Sequence, residues 1–83
     1  MDFKFDVEFL QDADYFISTL DKKLKEKVLY NIWKSRIIGD SELLKKLLNE
    51  IWEFRTQYQG IHIRLLCFWD KNSRQPKLVI CTN

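Results

Sequence analysis

The chain has 83 residues, 46% of them hydrophobic and 14% aromatic, with two Gly and one Pro, which excludes a disordered or fibrous chain and a deep cofactor cavity. Its net charge of +2 conceals an asymmetry: residues 1–21 carry six acids against Lys4, a balance of −5, and the remainder carries thirteen basic against six acidic groups, a balance of +7. A basic body behind an acidic start suits a polyanionic partner, although dispersed surface charge gives the same totals.

Residues 3–9, FKFDVEF, alternate between Phe3, Phe5, Val7 and Phe9 on one side and Lys4, Asp6 and Glu8 on the other. Period two with one apolar face predicts a half-buried strand. QDADYFISTLDKK follows as a short amphipathic helix with Tyr15, Phe16, Ile17 and Leu20 as its apolar residues, and Asp12 or Asp14 at its N-cap or in its first turn. In DKKLKEKVLYNIWKSRIIGD, Leu24, Val28 and Ile32 recur every fourth residue beside a second row of Leu29, Trp33 and Ile37. This spacing predicts one wide apolar stripe on a helix beginning after Asp21, with Gly39 as C-cap. Lys22, Lys23, Lys25, Lys27 and Lys34 lie mostly off the stripe, as a solvated face or as a flank that contacts phosphates.

SELLKKLLNEI reads as a third short helix, capped by Asp40 or Ser41 and carrying Leu43, Leu44, Leu47 and Leu48. Strands are expected at roughly 50–57, 61–69 and 77–82, with Gly60 in the first connection and KNSRQP in the second. The strand at 61–69 is apolar on both faces apart from His62 and Arg64, which makes it central. The expected fold is α+β: a twisted antiparallel sheet with an N-terminal strand, two to three helices packed on one side, and a three-strand meander. Cys67 and Cys81 fall in apolar runs with no CxxC pair and read as buried, reduced thiols of a cytoplasmic protein. The N-terminus lacks the basic-then-apolar pattern of a signal peptide, and no apolar run approaches a membrane span.

Charged residues inside the strand-like runs are the candidate site. Side chains alternate along a strand, so Glu53 shares a face with Arg55, and His62 with Arg64. If the register brings both pairs onto one face, that face holds two guanidinium groups, a carboxylate and an imidazole. Such a set suits phosphodiester chemistry, because the arginine fork matches phosphate oxygens and stays charged at any working pH. RNA cleavage by its own 2′-hydroxyl needs a base for that proton, an acid for the leaving oxygen, and positive charge on the phosphorane. Glu53 is the candidate base, Arg64 the charge stabiliser and His62 a candidate acid. The same residues also fit cross-strand ion pairs with a bystander histidine, and spacing leaves the two readings open.

EKVLYNIWKSR, SELLKKL, EFRTQYQGIHIRLLCFWD and KLVICTN, in that order, together resemble the HigB-like toxins of the RelE/ParE superfamily, in its phage-derived HigB branch. The resemblance covers essentially the whole chain. Its most specific pieces are the Glu-Leu/Phe-Arg motif at Glu53–Arg55 and the run from Arg64 to Trp69. It implies a single toxin domain over residues 1–83 and a ribosome-dependent mRNA endoribonuclease without metal or organic cofactor. The implied partners are mRNA on the ribosome and a HigA-like helix-turn-helix antitoxin. Arg64 matches the arginine that contacts the scissile phosphate, Arg55 the arginine of the preceding strand, and Glu53 a strand acid or base, while His62 matches no motif residue. Lys71, Arg74 and Lys77 are expected to hold RNA. Relatives usually continue past the last strand with a further helix, so the resemblance also implies a C-terminally truncated form. Whether such a form is an active or an inactive nuclease is left open by the resemblance, and self-association through an uncovered sheet edge is an expected consequence. The alternatives are a ParE-like inhibitor of DNA gyrase and a non-catalytic antitoxin-binding remnant, since one fold hosts several activities.

Overall fold

A computed structural model describes residues 2–40, 42–72 and 74–83. The elements run β1 (Asp6–Phe9), α1 (Gln11–Thr19), α2 (Lys22–Ser35), β2 (Leu44–Leu48), β3 (Ile51–Tyr58), β4 (Ile61–Asp70) and β5 (Lys77–Thr82). The strands form one five-stranded sheet in the order β1-β5-β4-β3-β2. β1 is parallel to β5 and the other neighbours are antiparallel, so the sheet is mixed and β4 is central, as its apolar faces predict. The edges are β1 and β2, while β5 lies between β1 and β4. An edge available for self-association therefore has to be β1 or β2.

Both helices pack on one face of the sheet. Ala13 and Ile17 of α1 and Leu24, Val28 and Ile32 of α2 bury against Phe54, Ile63, Leu65, Cys67, Leu78 and Ile80. Asp21 caps α2, its side chain accepting from the Leu24 amide at 3.0 Å. α1 has Leu10 at its N-cap position without a side-chain bond, and Asp12 and Asp14 stand in its first turn, where they complement the helix dipole. α2 ends at Ser35, short of Gly39. There Arg36 donates from Nε to the Phe5 carbonyl at 2.8 Å and covers the Phe3 ring at 4.0 Å. Residues 3–5 are therefore tied to the end of α2, and β1 begins only at Asp6.

The expected third helix is a strand. Its leucine spacing fits a helix, but a lone helix of this length is marginal, and the edge of β3 offers ladder hydrogen bonds instead. β2 takes that edge, with Leu44 opposite Phe54, Lys45 opposite Glu53 and Lys46 opposite Trp52. Asp40 does not cap a helix: its carboxylate accepts from the Glu42 amide at 2.9 Å and its carbonyl from the Leu43 amide at 3.1 Å, a turn that leads into β2. Ser41, the other expected cap, lies outside the described residues. Asn49, with φ 53°, makes the β2–β3 turn, a left-handed conformation that Asn tolerates. Gln59 and Gly60 make the β3–β4 turn with φ 50° and 78°. Two successive positive φ values are the mark of a type I′ hairpin.

Candidate functional site

The type I′ turn fixes the β3–β4 register, and the register decides which charges meet. Arg55 lies directly opposite Arg64, Gln57 opposite His62 and Glu53 opposite Leu66. Residues opposite one another share a face, so Glu53, Arg55, His62 and Arg64 all project from the sheet face away from the core residues Phe54, Ile63 and Leu65. The condition left open by spacing is met.

Two arginines directly opposite would repel, and Glu53 resolves the conflict. Its carboxylate is buried, at 8% exposure. Oε1 accepts from Arg55 Nε at 2.5 Å and lies 3.9 Å from Arg64 Nε. Both contacts are made with Nε, the inner nitrogen of each fork. The arginines remain partly exposed, with side-chain accessibilities of 41% for Arg55 and 64% for Arg64. A buried carboxylate thus orients two guanidinium groups whose outer edges face solvent.

These groups belong to a larger concavity of about 480 Å³. Lys27, Asn31 and Lys34 of α2 line one wall, Glu42 and Leu43 the segment before β2, and Arg55, Gln57, His62 and Arg64 the β3–β4 hairpin. β2 pairs with β3 from Leu44, opposite Phe54, and the Arg55 amide donates to the Leu43 carbonyl at 2.7 Å. Beyond that point the edge of β3 is open, with α2, Thr56 and Ile63 on one side of it and the Arg55 and Arg64 side chains on the other. Lys27, Lys34, Arg55 and Arg64 give it four fixed cations against the Glu42 carboxylate on the rim, a field that attracts anions. The wall is held by a buried bond from Asn31 Nδ2 to Thr56 Oγ1, 3.3 Å long, which joins α2 to β3. Among the described residues no group of three or more His, Cys, Asp or Glu side chains is arranged to hold a metal.

The structure brings Glu53, Arg55, His62 and Arg64 together and leaves Lys71, Arg74 and Lys77 elsewhere. Lys77 stands opposite Asp70, at the far end of β4 from Arg64, and its Nζ pairs with Glu8 Oε1 at 3.2 Å. Six residues of strand separate Arg64 from Asp70, about 20 Å. Lys71 lines a separate depression with Lys46, Trp52 and Trp69, and Arg74 is exposed in the β4–β5 connection. Lys27 and Lys34 belong to the lysine row that the sequence offered as a solvated face or a phosphate-contacting flank, whereas Asn31 was not singled out. Yet a spacing of four and seven places all three on one face of a helix. A polar row beside an apolar stripe was the available signal.

The cysteines lie apart from the groove. Both are free thiols, Cys67 buried and Cys81 partly so. Burial pushes the Cys67 thiol from 9.0 to about 12 and also raises Cys81. Cys67 pairs with Ile80 in register, which puts Cys81 on the other face. Among the described residues no helix is long and apolar enough to cross a membrane.

Residues 15–82 match the family described as "Phage derived protein Gp49-like (DUF891)". The matched span includes α2, the hairpin and every residue lining the groove. No curated protein and no solved structure matches the chain significantly.

Proposed function

Because the chain belongs to the phage-derived Gp49-like family, part of the RelE/ParE/HigB-type toxin group, we propose that it is the toxin of a type II toxin–antitoxin pair and cleaves mRNA on the ribosome. Toxins of this family pair with antitoxins, and a helix-turn-helix protein of the HigA type is the proposed neutralising partner. The observation that carries the nuclease reading is the Arg55–Arg64 pair, held side by side by one buried carboxylate at the margin of a cationic groove. Arginine forks bind a phosphodiester in the ground state. They gain further as negative charge builds on its oxygens in the phosphorane.

In the proposed reaction the 2′-hydroxyl attacks the adjacent phosphorus and the bond to the 5′-oxygen breaks, leaving a cyclic phosphate. One group must take the hydroxyl proton and another must give one to the departing oxygen. His62 lines the groove two residues from Arg64, and an imidazole can both accept and donate a proton. Glu53, the base suggested by spacing, is already committed to Arg55 and Arg64. Its role in this reading is to position the two arginines.

The test is ribosome-dependent mRNA cleavage by the purified chain and by Arg64→Ala. The expected result is cleavage that falls at least about a hundredfold in the variant. No cleavage by the unaltered chain, together with inhibition of gyrase supercoiling, would move the target from RNA to gyrase. Antitoxin binding with neither activity would leave a binding module.

A further inference from the structure

The periodicity of α2 predicts that Leu29 and Trp33 join the buried stripe, and the structure does not bury them. Leu29 is 40% exposed, Trp33 43% and Tyr30 52%. The buried residues of α2 are Leu24, Val28, Asn31, Ile32 and Ser35, a narrower arc centred on Val28. An exposed Leu is ordinary, but two large aromatic rings side by side on an exposed helix face are informative. Tyr30 and Trp33 have ring centroids 6.0 Å apart, tilted at 36°. The Lys27 ammonium lies 5.8 Å from the Tyr30 centroid.

Helical geometry links this pair to the groove. At about 100° per residue, Asn31 faces β3, Lys27 and Lys34 come next around the helix, then Tyr30, then Trp33. The order matches the contacts. Asn31 bonds Thr56, Lys27 and Lys34 line the groove, and the two rings lie outside it. On α2 the surface thus runs from the two groove lysines to two aromatic rings, while Arg55 and Arg64, which line the same concavity, project from the other face of the sheet. Glu26, the acid within α2, stands about one turn before Tyr30 and falls between the two rings in angle around the helix, with Lys22 and Lys23 in the same first turns. Alternation of cations with exposed rings is the chemistry that binds single-stranded nucleic acid. The cations follow the phosphates and the rings stack on bases, with little regard to sequence.

We propose that Tyr30 and Trp33 are a base-stacking platform for single-stranded RNA, continuous with the groove, with Lys27 and Lys34 holding the phosphates between. The proposal rests on reading the groove as an RNA site. It assigns the platform to nucleotides that flank the one at Arg55 and Arg64, so it governs RNA affinity and not bond cleavage.

The experiment measures binding of a labelled, short single-stranded oligoribonucleotide by fluorescence anisotropy. It uses the full chain, Tyr30→Ala/Trp33→Ala and Tyr30→Phe/Trp33→Phe, and repeats each titration with an abasic oligomer of the same length. Loss of both rings is expected to weaken binding at least about tenfold, whereas the Phe pair retains it. The unaltered chain should bind the abasic oligomer as weakly as the Ala pair binds the normal one. Urea unfolding of the Ala and Phe pairs, expected to give matching midpoints because both side chains are largely exposed, separates loss of binding from failure to fold. Equal affinity of the Ala pair and the unaltered chain overturns the proposal. Unchanged RNA affinity with a loss of self-association, or of antitoxin binding, also overturns it and makes the patch a protein interface. mRNA cleavage on ribosomes is a separate readout: oligomer binding through the rings without cleavage keeps the platform and removes the nuclease.

Discussion

Arg55 stands directly opposite Arg64 across the β3–β4 pair, an arrangement that on an ordinary sheet is repulsive. It persists because Glu53 is buried beside both and accepts from Arg55 at 2.5 Å. A neutral packing solution would be simpler at that spot. The sheet instead concentrates two guanidinium groups where a phosphate can bridge them.

Glu53→Gln tests this directly. An amide cannot offset two cations, so the arginines separate and one loses its anchor. Stability should fall by about 1–2 kcal/mol, mostly from the Arg55 bond, because Arg64 is well exposed and screened. mRNA cleavage should fall further, on the order of tenfold to a hundredfold, since a displacement of about 1 Å in a charge-stabilising group has that effect. Urea unfolding and cleavage rates measured on one preparation separate the two losses.

The Asn31–Thr56 bond is buried and 3.3 Å long. Asn31→Ala strands the Thr56 hydroxyl and should cost about 1–2 kcal/mol, measured by urea denaturation. Adding Thr56→Val removes the stranded group, so the double variant should recover part of the loss. Simple addition of the two single effects would mean that the bond does not couple α2 to the sheet.

RNA binding should depend steeply on salt. Four groove cations that each displace a counterion give a slope of about −3 in log affinity against log salt. Lys34→Ala should make that slope shallower by about 0.7. Arg74→Ala, remote from the groove, should leave it nearly unchanged. The opposite ranking would move the RNA path to the β4–β5 connection.

Cys67 makes a pH prediction. Its thiol is raised from 9.0 to about 12 in the folded chain by burial, so folding favours the protonated form. The stability this contributes is complete below pH 9 and is lost as pH rises through 12. Between those values the thiol lowers stability by about 1.4 kcal/mol per pH unit. Cys67→Ser should flatten that part of the profile, followed by thermal unfolding against pH. At pH 8 an alkylating agent should modify Cys81 slowly and reach Cys67 only after unfolding; equal labelling of both in the native state would show that Cys67 is not sealed.

Local pattern was enough for much of the fold. The alternation of Val7 and Phe9, the Asp21 cap, the Leu24–Val28–Ile32 row and the turn at Gly60 each reflect a preference settled within a few residues. The sequence could also say that Glu53 shares a face with Arg55, and His62 with Arg64, since alternation along one strand is a local property. Three matters depended on neighbours distant in the chain. Residues 44–48 carry helical spacing but pair with β3, because an open strand edge offers hydrogen bonds that a short lone helix cannot match. Trp33 fits the apolar stripe but remains exposed, because the sheet accepts only the arc from Leu24 to Ser35. The meeting of Arg55 with Arg64 required the register, and the approach of Lys27 and Lys34 required α2 to dock on β3 through Asn31 and Thr56. Side-chain chemistry is written in the chain, whereas the distances that turn it into a site exist only once separate elements pack.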